Sequence, residues 1–164
     1  MQDKLKAIFT SHTVVSLEAQ RFFGFSTETS LIQDHTMRVF QQLMPIRAQH
    51  PSYANEQVYD IQIYPADYYK QFNPSATFIK WAALAEQDSS LDELGLAKLC
   101  VPAGKYLCFQ MGGREPEQFF SKLYTVWLPQ SKYSLDHRPH FDKIWPDKVT
   151  RGSILKQEVY IPIQ

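Results

Sequence analysis

Leu17-Glu18-Ala19-Gln20-Arg21-Phe22-Phe23-Gly24-Phe25 and Val101-Pro102-Ala103-Gly104-Lys105-Tyr106-Leu107-Cys108-Phe109 are two versions of one segment, 84 positions apart. Ala meets Ala, Arg21 meets Lys105 and Phe22 meets Tyr106. The same offset lines up Val39-Phe40-Gln41-Gln42-Leu43-Met44-Pro45 with Leu123-Tyr124-Thr125-Val126-Trp127-Leu128-Pro129. Two stretches holding one ungapped register imply duplication of a whole supersecondary unit. The expected fold is two pseudo-symmetric halves, about residues 13–85 and 96–164, within one domain spanning 1–164. Their seam is where a ligand pocket is favoured.

Composition narrows the function. The 164 residues suit one domain, since halves of about 80 would each have a marginal core. Formal net charge is zero, so the chain lacks the basic footprint of a nucleic-acid binder, and no direct DNA binding is expected. No run of 18 apolar residues appears and Met1-Gln2-Asp3-Lys4-Leu5-Lys6 has no signal-peptide core, so a cytoplasmic location without membrane attachment is expected. Cys100 and Cys108 fall within one strand-like run and read as reduced core residues. Aromatic content is high for so small a core, at 14% with eleven Phe, nine Tyr and three Trp, which points to a use beyond packing.

Along the chain, Val14 to Ser26 reads as a strand disturbed near Gln20. Asp34 caps a helix whose face is Met37, Phe40, Leu43 and Met44, ending around Pro45 to Gln49. Strands follow at Val58–Tyr64 and Thr77–Ala82, where apolar and polar residues alternate. After a polar turn from Glu86 to Gly95, Leu96 to Met111 reads as one strand. Pro116 opens a helix with Phe119, Phe120, Leu123 and Trp127 on its apolar face, and strands are expected at Pro139–Ile144 and Ile154–Ile163. Both halves are β-α-β-β. The fold class is therefore α+β: a tandem repeat forming an antiparallel sheet, with two main helices on one face.

The strongest candidate site residue is Asp142, set between Phe141 and Ile144-Trp145 in an expected strand. Alternation puts Asp142 and Ile144 on one face and Phe141 and Lys143 on the other. If the first face points into the seam, an unpaired carboxylate sits in an apolar wall, where it stays protonated or waits for a cation. The plainer alternative is a solvated Asp on an edge strand. Tyr124 and Trp127, three apart on the second helix, answer Phe40 and Leu43 on the first, so some of them should face the seam. Tyr59, Tyr160 and Phe23 are weaker additions to the wall. His137-Arg138-Pro139-His140-Phe141-Asp142 lacks the second ligand cluster a metal site needs, so neither metal nor cofactor is expected. Gly112-Gly113-Arg114 reads as an ordinary turn rather than an anion cradle.

Four motifs in order, Val101-Pro102-Ala103-Gly104-Lys105-Tyr106, Trp127-Leu128-Pro129-Gln130-Ser131-Lys132-Tyr133, Pro139-His140-Phe141-Asp142 and Glu158-Val159-Tyr160-Ile161-Pro162-Ile163, resemble the gyrase-inhibitor-like small-molecule-binding domain. This domain is also the effector-binding part of many AraC-type and MerR-type bacterial regulators. The resemblance implies a tandem β-α-β-β fold and a pocket between the halves for lipophilic, often cationic compounds, with an acidic residue at its base. It departs at Asp142, where the family usually has Glu, and at Ile144, where it usually has Tyr. Neither end is long enough for a helix-turn-helix, so the chain is similar to single-domain members carried as mobile integron cassettes that bind cationic drugs.

The leading functional expectation is binding of a lipophilic cationic aromatic compound, with Asp142 as counter-charge. The alternative is a hydrolase of strained or electrophilic aromatic toxins with Asp142 as acid. It would need a second polar group in reach, for which Tyr160, Glu158 and Tyr124 are candidates. A protein-partner role, with a separate DNA-binding subunit or gyrase, ranks last, because a DNA mimic needs an acidic face. The sequence leaves the oligomeric state open, a homodimer included.

Overall fold

The computed structural model describes residues 3–112, 116–150 and 152–164. Its elements run α1 (Asp3–Thr10), β1 (Thr13–Leu17), β2 (Gln20–Thr29), α2 (Thr36–Gln49), β3 (Val58–Ile63), β4 (Phe78–Ala85), a 3₁₀ turn (Ser89–Leu94), β5 (Ala97–Val101) and β6 (Gly104–Gln110). Then come α3 (Pro116–Lys122), a π-helical turn (Leu123–Trp127), α4 (Leu128–Gln130), β7 (His140–Pro146) and β8 (Ile154–Ile163). The expected α+β class is present as one eight-stranded antiparallel sheet in the order β1-β6-β8-β7-β3-β4-β2-β5.

The duplication is visible in the hydrogen-bond register. β1 pairs with β6 so that Leu17 faces Gly104, and β2 pairs with β5 so that Gln20 faces Val101. Each set maps onto the other through the 84-residue offset of the sequence repeat. The chain leaves β1 at one edge of the sheet and re-enters as β2 beside β5, the other edge. The break at Glu18-Ala19 permits this, as expected near Gln20. Its counterpart corrects the sequence reading: Leu96 to Met111 is two strands, parted at Pro102-Ala103, where Pro102 has no N–H to give a ladder.

The crossed edges curl the sheet strongly. Phe22 on β2 and Phe141 on β7 are separated by two intervening strands, yet their ring centroids lie 6.2 Å apart. This concave face buries Phe22, Tyr59, Ile61, Tyr106 and Phe141. The helices cover the other face in two separate cores. α2 closes one with Val39, Leu43, Phe23, Leu84 and Ile144. α1, α3 and the π-helical turn close the other with Phe9, Phe109, Phe119, Leu123 and Val159.

The cap position of α2 is His35 rather than the expected Asp34, whose Oδ1 nevertheless accepts from the Thr36 amide at 2.9 Å. The buried stripe, however, is Val39, Leu43 and Arg47, and Met37 is 71% exposed. Arg47 hid this stripe from the apolar pattern. Its stem packs inward while Nε and Nη2 donate to the Glu56 carbonyl at 3.0 and 2.7 Å. The cysteine reading also changes: both are free, but Cys100 is exposed and only Cys108 is buried. Gly112 takes the left-handed conformation (φ +62°) that suits the expected turn, whereas Gly113 and Arg114 lie outside the described residues. No described helix is long and apolar enough to cross a membrane.

Candidate functional site

β3 and β7, one strand from each half, are neighbours at the middle of the sheet. They pair antiparallel about a single point: Asp60 faces Asp142, with Val58 opposite Ile144 and Gln62 opposite His140. The seam axis therefore passes between two carboxylates. Directly opposed cross-strand residues have Cβ atoms only ~5 Å apart. Asp142 is 3% exposed in this central strand, which rules out a solvated edge position.

The two carboxylates are treated differently. Lys80 on β4 places its ammonium 3.0 Å from Oδ1 and 3.1 Å from Oδ2 of Asp60, and Gln62 Nε2 donates to the same Oδ1 at 2.7 Å. Burial acts to lower the Lys80 pKa, but the charge of Asp60 and its hydrogen bond more than offset this and raise it, so Lys80 stays charged. Asp142 Oδ2 accepts one bond, from Gln157 Nε2 at 2.7 Å, while Oδ1 is buried without a hydrogen-bond partner. Burial, reinforced by the neighbouring Asp60 charge, pushes the Asp142 carboxyl up to about 8. Asp142 is therefore mainly a neutral acid at pH 7.

The strand register explains the asymmetry. β4 sets Lys80 opposite Gln62, and β8 sets Gln157 opposite Ile144. Gln62 and Ile144 correspond through the same 82-residue step that relates Asp60 to Asp142. Gln157 therefore stands where the first half has its lysine. Asp60 holds the internal cation in direct contact, whereas Asp142 feels Lys80 only at a distance.

Aromatic residues close one end of this seam. The segment after β3 supplies Tyr64, Tyr68 and Tyr69; Tyr69 stacks on Tyr124 at 4.1 Å, and Tyr64 packs edge-on to His140 at 4.9 Å. The Tyr124 hydroxyl lies 2.7 Å from His140 Nδ1. Burial, helped by the positive charge of Arg138, drives His140 down to about 3, so its ring is neutral. Burial also raises the hydroxyls of Tyr64, Tyr69 and Tyr124 far above their usual range, with the Asp142 charge adding to the effect at Tyr64 and Tyr124. Tyr124 reaches this position from the π-helical turn, a type of distortion that often re-aims side chains at functional sites.

Of the residues singled out from sequence, Asp142, Ile144 and Tyr124 share the helix-covered face at the seam. Phe40 and Phe23 pack in the α2 core, which Ile144 also joins. Trp127 turns away into the second core, against Phe9 and His12. Tyr59 and Tyr160 lie on the concave face, across the sheet from Asp142, where Tyr160 stacks on Phe141 at 4.6 Å and donates to Glu158 at 3.0 Å. With Leu17, Glu18, Gln20, Phe141 and Lys143 they line an open cleft of ≈ 200 Å³. An occupant of that cleft is separated from Asp142 by the sheet. None of the three groups named as partners for an acid bonds to Asp142; Gln157 does, and it neither gives nor takes a proton near neutral pH. His137, His140 and Asp142 do not converge, and the described residues contain no group of three metal-ligating side chains.

Asp60, Lys80, Gln62, Gln157, Tyr64 and Tyr69 were not identified from sequence. Asp60 had one signal, its loose correspondence to Asp142. The Tyr64–Phe72 stretch had another in its density of aromatics. Lys80 and Gln157 had none, because only the strand register pairs them.

A duplicated antiparallel sheet with a buried carboxylate at its seam and aromatics over one end is the build of a small-molecule-binding domain. The chain belongs to the GyrI-like small molecule binding domain family, whose model matches residues 10–164. No curated sequence is similar enough to count as a relative. Solved structures that share the fold include the following three. SAV2435 bound to tetraphenylphosphonium is 14% identical, with 94% of each chain covered and a TM-score of 0.66. The integron cassette protein VCH_CASS2 of Vibrio cholerae is 16% identical, covering 93% of this chain and 95% of that one at a TM-score of 0.64. The EcmrR C-terminal domain is 12% identical, covering 94% and 97% at a TM-score of 0.59.

Proposed function

We propose that the protein binds a lipophilic organic cation at the seam, with Asp142 as its counter-charge. The observation that carries this is the unequal treatment of two equivalent carboxylates: Lys80 neutralises Asp60, while Asp142 keeps a buried, unpartnered oxygen. A buried acid without a cation stays protonated, and a cation placed beside it releases the proton and forms the missing ion pair. Tyr64, Tyr69 and Tyr124 add the negative faces of their rings, each worth on the order of 1–2 kcal/mol to a well-placed, desolvated cation. Because Asp142 is 3% exposed, the ligand enters by displacing Tyr69 from its stack on Tyr124. That SAV2435, with the same fold, binds tetraphenylphosphonium supports the ligand class. A binding role is favoured over hydrolysis by the contacts of Asp142. Gln157 is bonded to it, and Asp60, the carboxylate opposite, is held by Lys80 and Gln62.

The test is a titration of a fluorescent lipophilic cation into wild type and Asp142→Asn at pH 7. Loss of at least tenfold in affinity is expected, and equal affinity with an unchanged fold would sink the assignment.

A further inference from the structure

Resting on that reading, we infer that this chain, unlike SAV2435 with its quaternary tetraphenylphosphonium, prefers a cationic head that carries N–H donors, as a primary or secondary ammonium, amidinium or guanidinium does, and that quaternary heads are its poorer ligands. The first half of the molecule displays the arrangement the second half lacks. There, an ammonium touches both oxygens of its carboxylate, at 3.0 and 3.1 Å, as a donor and not merely as a charge. The strand register carries this geometry to the other side of the seam, where Gln157 replaces the lysine and Asp142 replaces Asp60. Gln157 fills only part of the vacancy, donating to Oδ2 at 2.7 Å and leaving Oδ1 bare.

A bare, buried carboxylate oxygen requires a hydrogen-bond donor, and a positive charge alone does not meet the requirement. A quaternary nitrogen is sheathed in carbon, so it neutralises Asp142 from a distance and leaves Oδ1 unpaired. An ammonium or amidinium meets charge and acceptor together in a charge-assisted bond, roughly twice as strong as a neutral one. A second acceptor for such a head is not free on the Asp60 side, since Lys80 and Gln62 already occupy that carboxylate. The selective contact is therefore made to Asp142.

The probes are 2-naphthylmethylammonium and its N,N,N-trimethyl derivative, which share one ring system and one charge at pH 7 and differ in N–H donors. Both are titrated calorimetrically into wild type, Asp142→Asn and Asp142→Leu, with folding of each variant checked by circular dichroism. The primary ammonium should bind wild type at least tenfold more tightly, with the ratio falling to near one in Asp142→Leu. If the trimethyl compound binds wild type equally or better, and Asp142→Asn weakens both, the donor requirement is overturned while the cation site stands. If Asp142→Asn weakens neither, or neither compound binds wild type, both are overturned.

Discussion

Gln157→Lys should put into the second half the cation that the first half already has. The new ammonium would stand to Asp142 as Lys80 stands to Asp60, whose oxygens lie 3.0 and 3.1 Å from the lysine nitrogen. At a charge separation near 4 Å and an effective dielectric of about 20, the attraction is about 4 kcal/mol. Desolvating a second buried ammonium costs several kcal/mol and offsets most of this, so the net change in stability should be small. The Asp142 pKa should fall by roughly 1–3 units as its charged form gains a partner. The bound ligand would meanwhile lose its counter-charge and meet a like charge. A penalty of about 3 kcal/mol corresponds to roughly a hundredfold weaker binding.

Two measurements decide the matter: the affinity for a lipophilic cation, and thermal stability against pH, which reports whether the new ammonium reaches Asp142. Gln157→Met is the control. It removes the amide at similar volume and leaves the carboxylate open, so cation affinity should be kept or improved. The reasoning is refuted if Gln157→Lys flattens the pH profile above neutrality, so that Asp142 is demonstrably paired, yet binds the cation as tightly as wild type.

The wild-type pH profile itself should have two regions between about pH 4 and 8. Asp142 titrates near 8 in the folded protein and near 3.8 when unfolded, so the folded state holds the extra proton between these values and stability falls as pH rises. His140 titrates near 3 when folded and near 6.5 when unfolded, so its contribution runs the other way and stability falls as pH drops below 6.5. From pH 6.5 to 8 the Asp142 effect acts alone, at about 1.4 kcal/mol per unit. From about 4 to 6.5 the two oppose each other and the profile should be flat. Differential scanning calorimetry should show this shape, and a stability that rises between pH 6.5 and 8 would contradict a neutral buried Asp142. Tyr69→Ala removes the ring stacked on Tyr124 at 4.1 Å, so stopped-flow association with a fluorescent cation should quicken several-fold at a small cost in melting temperature. An unchanged association rate would mean that entry does not pass through that stack.

What the sequence by itself determined is the scaffold. The 84-residue echo gave two β-α-β-β halves, because apolar spacing in strands and helices is a local property that duplication preserves. Asp142 was also legible, since an acid within an apolar alternating strand is conspicuous. Tertiary structure decided which groups meet. Tyr59 and Tyr160 were grouped with Asp142 on aromatic character alone, whereas strand alternation sends them to the concave face, because a single step along a strand reverses the side chain. Trp127 stands one helical turn from Tyr124 and packs against the same core, but only Tyr124 also reaches the seam, through His140 and Tyr69. The pairing of Asp60 with Asp142, and of Lys80's place with Gln157's, exists only through hydrogen-bond register between strands distant in sequence. One missing lysine makes a symmetric scaffold into an asymmetric site, and its absence is visible only once the sheet has brought the two halves together.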